Sequence, residues 1–327
     1  MLVDDCVDSV YRNTALPNSQ QTYEPADIVA FLNEEQQTTV SALIQSIRES
    51  YWIQYYDVTI QPNVSTYIVP QRAIMGTLED IVLVDNSGNE IEIAQLSPEQ
   101  KKVAPFYSFV PIASMRGIFA RDDTFNIYPT TFPYPAGFII RFKYARRPSV
   151  LVQSSFCAQV QTVNSGTKVV TVSAVPSGWT QGSTIIDIVN NLPQFTSLSD
   201  DNLITNISGT SITLTSCPST IAIGQWLCPM GTTCVPQIPL ELYPLLINAG
   251  CLRVFTSMQN ANGFNTMSKV VAAQMDDAKT LLTPRWKGQS KKIVNKNVAW
   301  PLSSLFPNFR VLISTLVPIC MMLKCLC

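Results

Sequence analysis

Histidine is absent, so the groups able to do chemistry in this chain are carboxylates, thiols and basic side chains. That absence removes any serine or cysteine nucleophile paired with a histidine base, and any histidine-ligated zinc site. Adjacent carboxylates occur at Asp122-Asp123, Asp200-Asp201 and Asp276-Asp277. Paired carboxylates can hold a divalent cation or cleave a glycosidic bond. Neighbours on a strand point to opposite faces, however, so adjacency alone makes no dyad, and Asp200-Asp201-Asn202 reads as a turn. The nine cysteines (Cys6, Cys157, Cys217, Cys228, Cys234, Cys251, Cys320, Cys325 and Cys327) are odd in number and follow no framework spacing. The closest pairs, Cys228-x5-Cys234 and Cys325-x-Cys327, lack the knuckle form of a four-cysteine zinc site. They read as reduced thiols, because Met1–Val10 is acidic and lacks the apolar core of a secretory signal. No Walker pattern and no Gly-x-Gly-x-x-Gly is present. The expectation is a non-enzymatic protein with no catalytic, cofactor or metal site.

The basic residues are distributed unevenly. After Asp277 there is no Asp or Glu, while Lys279, Arg285, Lys287, Lys291, Lys292, Lys296, Arg310 and Lys324 give that stretch a formal +8 within a chain of net −1. Aromatic and aliphatic residues interleave with this charge at Trp286, Trp300, Leu305, Phe306 and Phe309. Such residues are the usual anchors of protein interfaces, and left free on a tail they would expose apolar surface. Residues 284–327 therefore read as an extended arm, punctuated by Pro284, Gly288, Pro301, Pro307 and Pro318, that docks on an acidic partner. A chain pI of about 5.6 argues against a dedicated nucleic-acid binder. The uncharged run Val311–Leu323 is thirteen residues long and interrupted by Pro318, short of the ~20 needed to span a bilayer. No membrane contact is expected.

The elements that carry this arm follow from apolar periodicity. Residues 1–23 read as a leader with little regular structure. Helical period begins after Pro25, with Ile28, Phe31 and Leu32, and continues through Val40, Leu43, Ile44, Ile47 and Tyr51. A bend is expected near Gln36–Thr39, where polar residues interrupt the stripe. From Trp52 the period becomes that of strands. Ile81–Val84, Asp85-Asn86-Ser87-Gly88-Asn89 and Ile91/Ile93 spell a hairpin. A second β-rich unit over 154–232 has only four charged residues (Lys168, Asp187, Asp200 and Asp201) and reads as a small antiparallel sheet or barrel. Helical period returns at Pro239, breaks at Asn260-Ala261-Asn262-Gly263, and ends at Pro284. The expected class is α+β, with a helical bundle formed from the N- and C-terminal helices, interrupted by a β-rich insertion and followed by the arm. The expected segments are 1–52, leader and first helices; 53–153, first β-rich unit; 154–235, second β-rich insertion; 236–283, returning helices; and 284–327, arm. Scarce charge, at 14% against a usual ~25%, suits a chain that buries surface against partners.

Leu16-Pro-Asn-Ser-Gln20, Ala26–Asn33, Tyr67–Ala73, Asp80–Asp85, Pro236–Pro239 and Pro284-Arg-Trp-Lys-Gly288, taken in this order, resemble the head–tail adaptor (connector or head-completion) proteins of tailed bacteriophages. The resemblance covers most of residues 10–300. It implies a homo-oligomeric ring, usually of twelve copies, at the neck of the virion and assembled in the host bacterial cytoplasm. The ring would sit under the portal protein and meet a tail or nozzle protein on its distal β side. DNA would pass through the channel without sequence-specific binding. The arm residues Arg285, Trp286, Lys287, Lys291, Lys292, Lys296, Trp300, Leu305, Phe306 and Phe309 would bind the portal. The rival expectations are a tail tube or nozzle component, a β-rich receptor- or glycan-binding virion protein, and a wall hydrolase.

Overall fold

The computed structural model describes residues 1–15, 23–61, 64, 66–92, 94–95, 117–121, 124–128, 137–191 and 197–282. The chain divides into two units, Met1–Thr283 and Pro284–Cys327, and every described residue lies in the first. Helices and strands occupy separate stretches of that unit, so the class is α+β.

The expected leader is corrected by a helix, α1 (Val3–Thr14), which fills most of its described part. Val3, Cys6, Val7, Val10 and Thr14 repeat at spacings of three and four and are all buried. The acidic residues between them masked this stripe in the sequence. Asp5 accepts a hydrogen bond from the Leu2 N–H at 2.7 Å, which satisfies an orphan donor of the first turn. Helix α2 (Pro25–Glu35) starts with Pro25 in its first turn, where the missing N–H costs nothing. The bend expected near Gln36–Thr39 takes the form of a π-helical segment, Gln36–Val40, followed by α3 (Ser41–Ile47). The wider turn directs the buried Gln36 amide to the Ser149 carbonyl, 3.0 Å away.

Near the C-terminal end of the unit stand α4 (Tyr243–Ser257) and α5 (Ala261–Leu282). Gln259 adopts a left-handed φ of 56° between them, and the Asn260 side chain accepts the Gly263 N–H at 3.0 Å, capping α5. Helices from both ends of the chain share one apolar core, in which Val3, Val10, Ile28, Leu32, Ile44 and Trp52 meet Leu246, Cys251 and Val254. At full burial each large side chain contributes about 1.5–3 kcal/mol. Gly250 of α4 permits a close approach of α2, since a Cβ there would lie 2.8 Å from Leu32 Cδ2.

The first β region forms two four-stranded sheets. One has the order β1 (Ile53–Thr59), β8 (Ile139–Arg146), β3 (Ala73–Val84), β4 (Glu90–Glu92). The other has the order β2 (Thr66–Ile68), β7 (Thr124–Tyr128), β6 (Gly117–Arg121), β5 (Ala94–Gln95). Alternate residues Ile140, Phe142 and Tyr144 of β8 are buried, as a half-covered strand requires. They pack with Phe125 and Leu83. The expected hairpin is present as β3 and β4, with Leu83 opposite Ile91; Ile93 lies outside the described residues.

The low-charge region closes into a six-stranded barrel of order β10 (Ala158–Asn164), β11 (Val169–Val172), β14 (Ser211–Leu214), β13 (Ser197–Ser208), β12 (Ile185–Val189), β15 (Trp226–Pro229). Closure is made by β15 returning to β10, with Ala158 opposite Leu227. Val160, Val170, Ile186, Ile204, Ile212 and Leu227 fill its interior. The turn expected at Asp200-Asp201-Asn202 is corrected: these residues lie inside β13. Asp201 takes a left-handed φ of 57°, and the pairing with β12 slips beside it, so the turn chemistry produces a bulge without ending the strand. The chain reaches and leaves the barrel through a short parallel pair, β9 (Val150–Leu151) and β16 (Thr232–Thr233). Asn33 of α2 clamps β9, donating to the Leu151 carbonyl at 2.9 Å and accepting its N–H at 2.7 Å.

Candidate functional site

The arm residues Arg285, Trp286, Lys287, Lys291, Lys292, Lys296, Trp300, Leu305, Phe306 and Phe309 all lie outside the described residues, as do Asp122 and Asp123. Asp200 and Asp201, expected to form a turn, lie in a charged cluster at the barrel. Arg72, at the corner before β3, reaches the barrel and pairs with Asp187 at 2.8 Å, Asp200 at 3.1 Å and Asp201 at 2.7 Å. Arg146, at the end of β8, binds Asp200 from the other side at 2.8 Å. The bulge makes this possible. An ordinary strand would send Asp200 and Asp201 to opposite faces, whereas the left-handed Asp201 lets both carboxylates meet one guanidinium.

Asp187 is the buried centre of this cluster, and it also accepts the backbone N–H groups of Asp201 at 3.1 Å and Gly231 at 2.8 Å. Burial works to lower the Arg72 pKa, but the Asp187 hydrogen bond and the three carboxylates outweigh it and raise the value, so the guanidinium stays charged. These carboxylates are engaged by arginines and backbone donors, which fits a joint between sheet and barrel better than an acid–base pair. Asp276, from the third acidic pair, forms an exposed bridge to Lys279 at 2.8 Å.

Above the joint lies a cleft of about 640 Å³ lined by Tyr55, Tyr56, Ile68, Arg72, Asp200 and Met230. Its rim is apolar and open to solvent: Tyr55 is 63% exposed and Ile68 65%. The Arg141 guanidinium sits 5.8 Å from the Tyr55 ring centroid and grips Asp57 through two hydrogen bonds of 2.9 Å. Among the described residues, strand β1 is the last strand of its sheet. A charged floor, an aromatic rim and a sheet edge suit recognition of a protein surface.

A second cleft, of about 700 Å³, runs between the π-helical segment with α3 and the helices α4 and α5. Glu35 anchors it, bound by Arg253 Nε at 2.5 Å and by the Thr39 hydroxyl at 2.6 Å. Phe264, Val271 and Met275 supply an apolar wall. Helix α5 buries only Val271, Ala278 and Leu282 over its 22 residues, while Phe264, Val270 and Leu281 stay exposed. At 100° per residue, Val270 and Leu281 lie roughly 60–120° around the helix from the buried stripe. Among the described residues, the apolar arc of α5 is therefore wider than the surface packed against it.

The structure also assembles three thiols that sequence spacing kept apart. Cys157, Cys228 and Cys234 are buried, with their sulfur atoms all within 4.8 Å of one another. Hydrogen bonds from Cys228 and Cys234 lower the Cys157 pKa to about 5 against the opposing effect of burial. The signal that could have found this trio is barrel closure, since pairing Ala158 with Leu227 sets Cys157 across from Cys228. Among the described residues, no helix is long and apolar enough to cross a membrane. Neither a protein-family model nor a curated protein matches the chain.

Proposed function

We propose that this chain is a structural virion protein, a head–tail adaptor that assembles as a homo-oligomeric ring between the portal protein and a tail or nozzle protein of a tailed bacteriophage. In this reading the helices from both ends of the chain form the bundle of the ring wall, and the β-rich units project from it. The segment 284–327 is the arm that docks on the portal through Arg285, Trp286, Lys287, Lys291, Lys292, Lys296, Trp300, Leu305, Phe306 and Phe309. DNA passes through the channel without sequence readout. The copy number of twelve rests on the resemblance alone. Many copies convert weak arm contacts into a stable joint, because tethered sites rebind at high effective concentration.

The observation that best supports the reading is the surplus apolar surface of α5 beside its cleft. A helix with Phe264, Val270 and Leu281 exposed has more hydrophobic arc than its own core uses, and a neighbouring copy of the same chain would cover it. Strand β1, with Tyr55 and Tyr56 exposed, offers a second contact of the kind a tail protein would use. The test is electron microscopy of the full chain mixed with its cognate portal protein, beside the same chain truncated after Thr283. A ring seated on the portal with the full chain only is the expected result. Equal binding by the truncated chain would remove the arm from the joint, and no ring with either would overturn the adaptor reading.

A further inference from the structure

We propose that Cys157, Cys228 and Cys234 form a binding site for a thiophilic d¹⁰ metal ion, Zn²⁺, that fastens the base of the barrel to the first helix. Three features carry this. The first is spacing. Thiolates bind zinc at about 2.3 Å, which places two sulfurs on one ion roughly 3.7–4.0 Å apart. The Cys228 and Cys234 sulfurs are 3.9 Å apart, and no pair in the trio exceeds 4.8 Å. An ion near their centre needs shifts of only a few tenths of an ångström.

The second feature is the setting. Cys228 and Cys234 are fully buried and Cys157 is 6% exposed, among Val189, Val235, Val152, Trp226 and Leu2. Three unpaired negative charges would be costly in this apolar shell, since a buried charge needs a partner. A divalent cation is the partner that would hold them as thiolates, displacing their protons on binding. Three protein ligands leave the fourth tetrahedral position for water or an added donor.

The third feature is position. Cys157 precedes β10, Cys228 lies in β15, and Cys234 directly follows β16, so the trio sits where the barrel closes and where the chain departs from it. The Cys234 carbonyl accepts the Val3 N–H of α1 at 2.9 Å. Asp4 accepts the Ser154 N–H at 3.2 Å and also binds its hydroxyl, three residues before Cys157. An ion here would lock the barrel seam to α1, whatever partner the protein meets.

The full chain, purified under reducing conditions without chelator, is expected to carry about one zinc per molecule by elemental analysis. After exchange for Co²⁺ it should show intense sulfur-to-cobalt charge-transfer absorption. Cys157→Ala and Cys228→Ala should each weaken zinc binding by more than about 100-fold, whereas C217S and the triple variant C320S/C325S/C327S should keep both ion and band. Alanine at these buried positions also removes packing, so the unmutated chain is stripped with chelator as a second measurement. Its melting temperature should fall and return when zinc is added. No zinc and no cobalt band in the reduced full chain would overturn the site. So would loss of the ion in C320S/C325S/C327S, or a mass lower by two hydrogens that maps to a bridge within the trio, which would make it a redox pair.

Discussion

Replacing Asp187 with Asn tests whether the arginine–carboxylate joint holds sheet to barrel. The change preserves shape and removes one buried negative charge. Asp187 is 2% exposed and its partner Arg72 13%. Breaking a buried ion pair by removing one partner costs about 3–5 kcal/mol. Arg72 would keep Asp200 at 3.1 Å and Asp201 at 2.7 Å, so its charge is not stranded and the lower end applies. The new amide also turns a donor toward donors, since Arg72, Asp201 N–H and Gly231 N–H all point at the present carboxylate. The expected loss is about 3 kcal/mol, or a fall in the urea midpoint of about 1 M for a slope near 3 kcal/mol/M. Asp201→Asn is the control, because that carboxylate is 50% exposed and its screened pair is worth less than about 1 kcal/mol. Urea melts of both variants, followed by tryptophan fluorescence and circular dichroism, make the comparison. A D187N midpoint equal to the parent's, or a D201N loss as large as that of D187N, would refute a buried structural joint.

The double variant V270E/L281E should fold with an unchanged far-ultraviolet spectrum yet fail to form rings, as read by sedimentation; rings that persist would free α5 of any role between copies. Gly250→Ala should destabilise by about 1 kcal/mol in a thermal melt, because crowding Leu32, whose Cδ2 lies 2.8 Å from the new methyl, costs about 1–3 kcal/mol against a helix-propensity gain of about 1 kcal/mol. Asp85 accepts the Ser87 and Asn89 N–H groups at 2.8 Å and the Asn89 amide at 3.0 Å, which lowers its pKa, with the Asn89 side chain the first cause. Its contribution to the β3–β4 turn is therefore present above the unfolded value of 3.8 and is lost as pH falls through the lower folded value. A carbon-detected NMR titration of the Asp85 carboxyl should show a midpoint below that of a free aspartate.

What the sequence disclosed was whatever rests on local pattern. The change of period at Trp52, the return of helix at Pro239 and the Asp85–Asn89 turn are written in runs of a few residues, and each has its counterpart in the structure. The bend at Gln36–Thr39 was visible as a gap in an apolar stripe, though not that it would be a π-helical turn. Helix α1 is hard to read from the sequence because Asp4, Asp5, Asp8 and Ser9 interrupt its apolar residues and its buried stripe ends on the polar Thr14. A left-handed backbone position such as that of Asp201 serves a turn or a bulge equally, and only pairing with β12 decides between them. Neither the arginine joint nor the thiol trio was legible. Arg72 meets Asp187, and Cys157 meets Cys228, through strand pairings that join distant parts of the chain.

The way the barrel is attached has a consequence for how this protein could diversify. Its first and last strands, β10 and β15, are hydrogen-bonded neighbours, so the two attachment points stand about 5 Å apart. Just outside them β9 and β16 run side by side, held to the body by Asn33. A module hung from two adjacent points behaves like a cassette: shortening, enlarging or exchanging it changes the path of the chain nowhere else. The helices and the first sheets would then stay constant while the barrel is rewritten to suit a different neighbour.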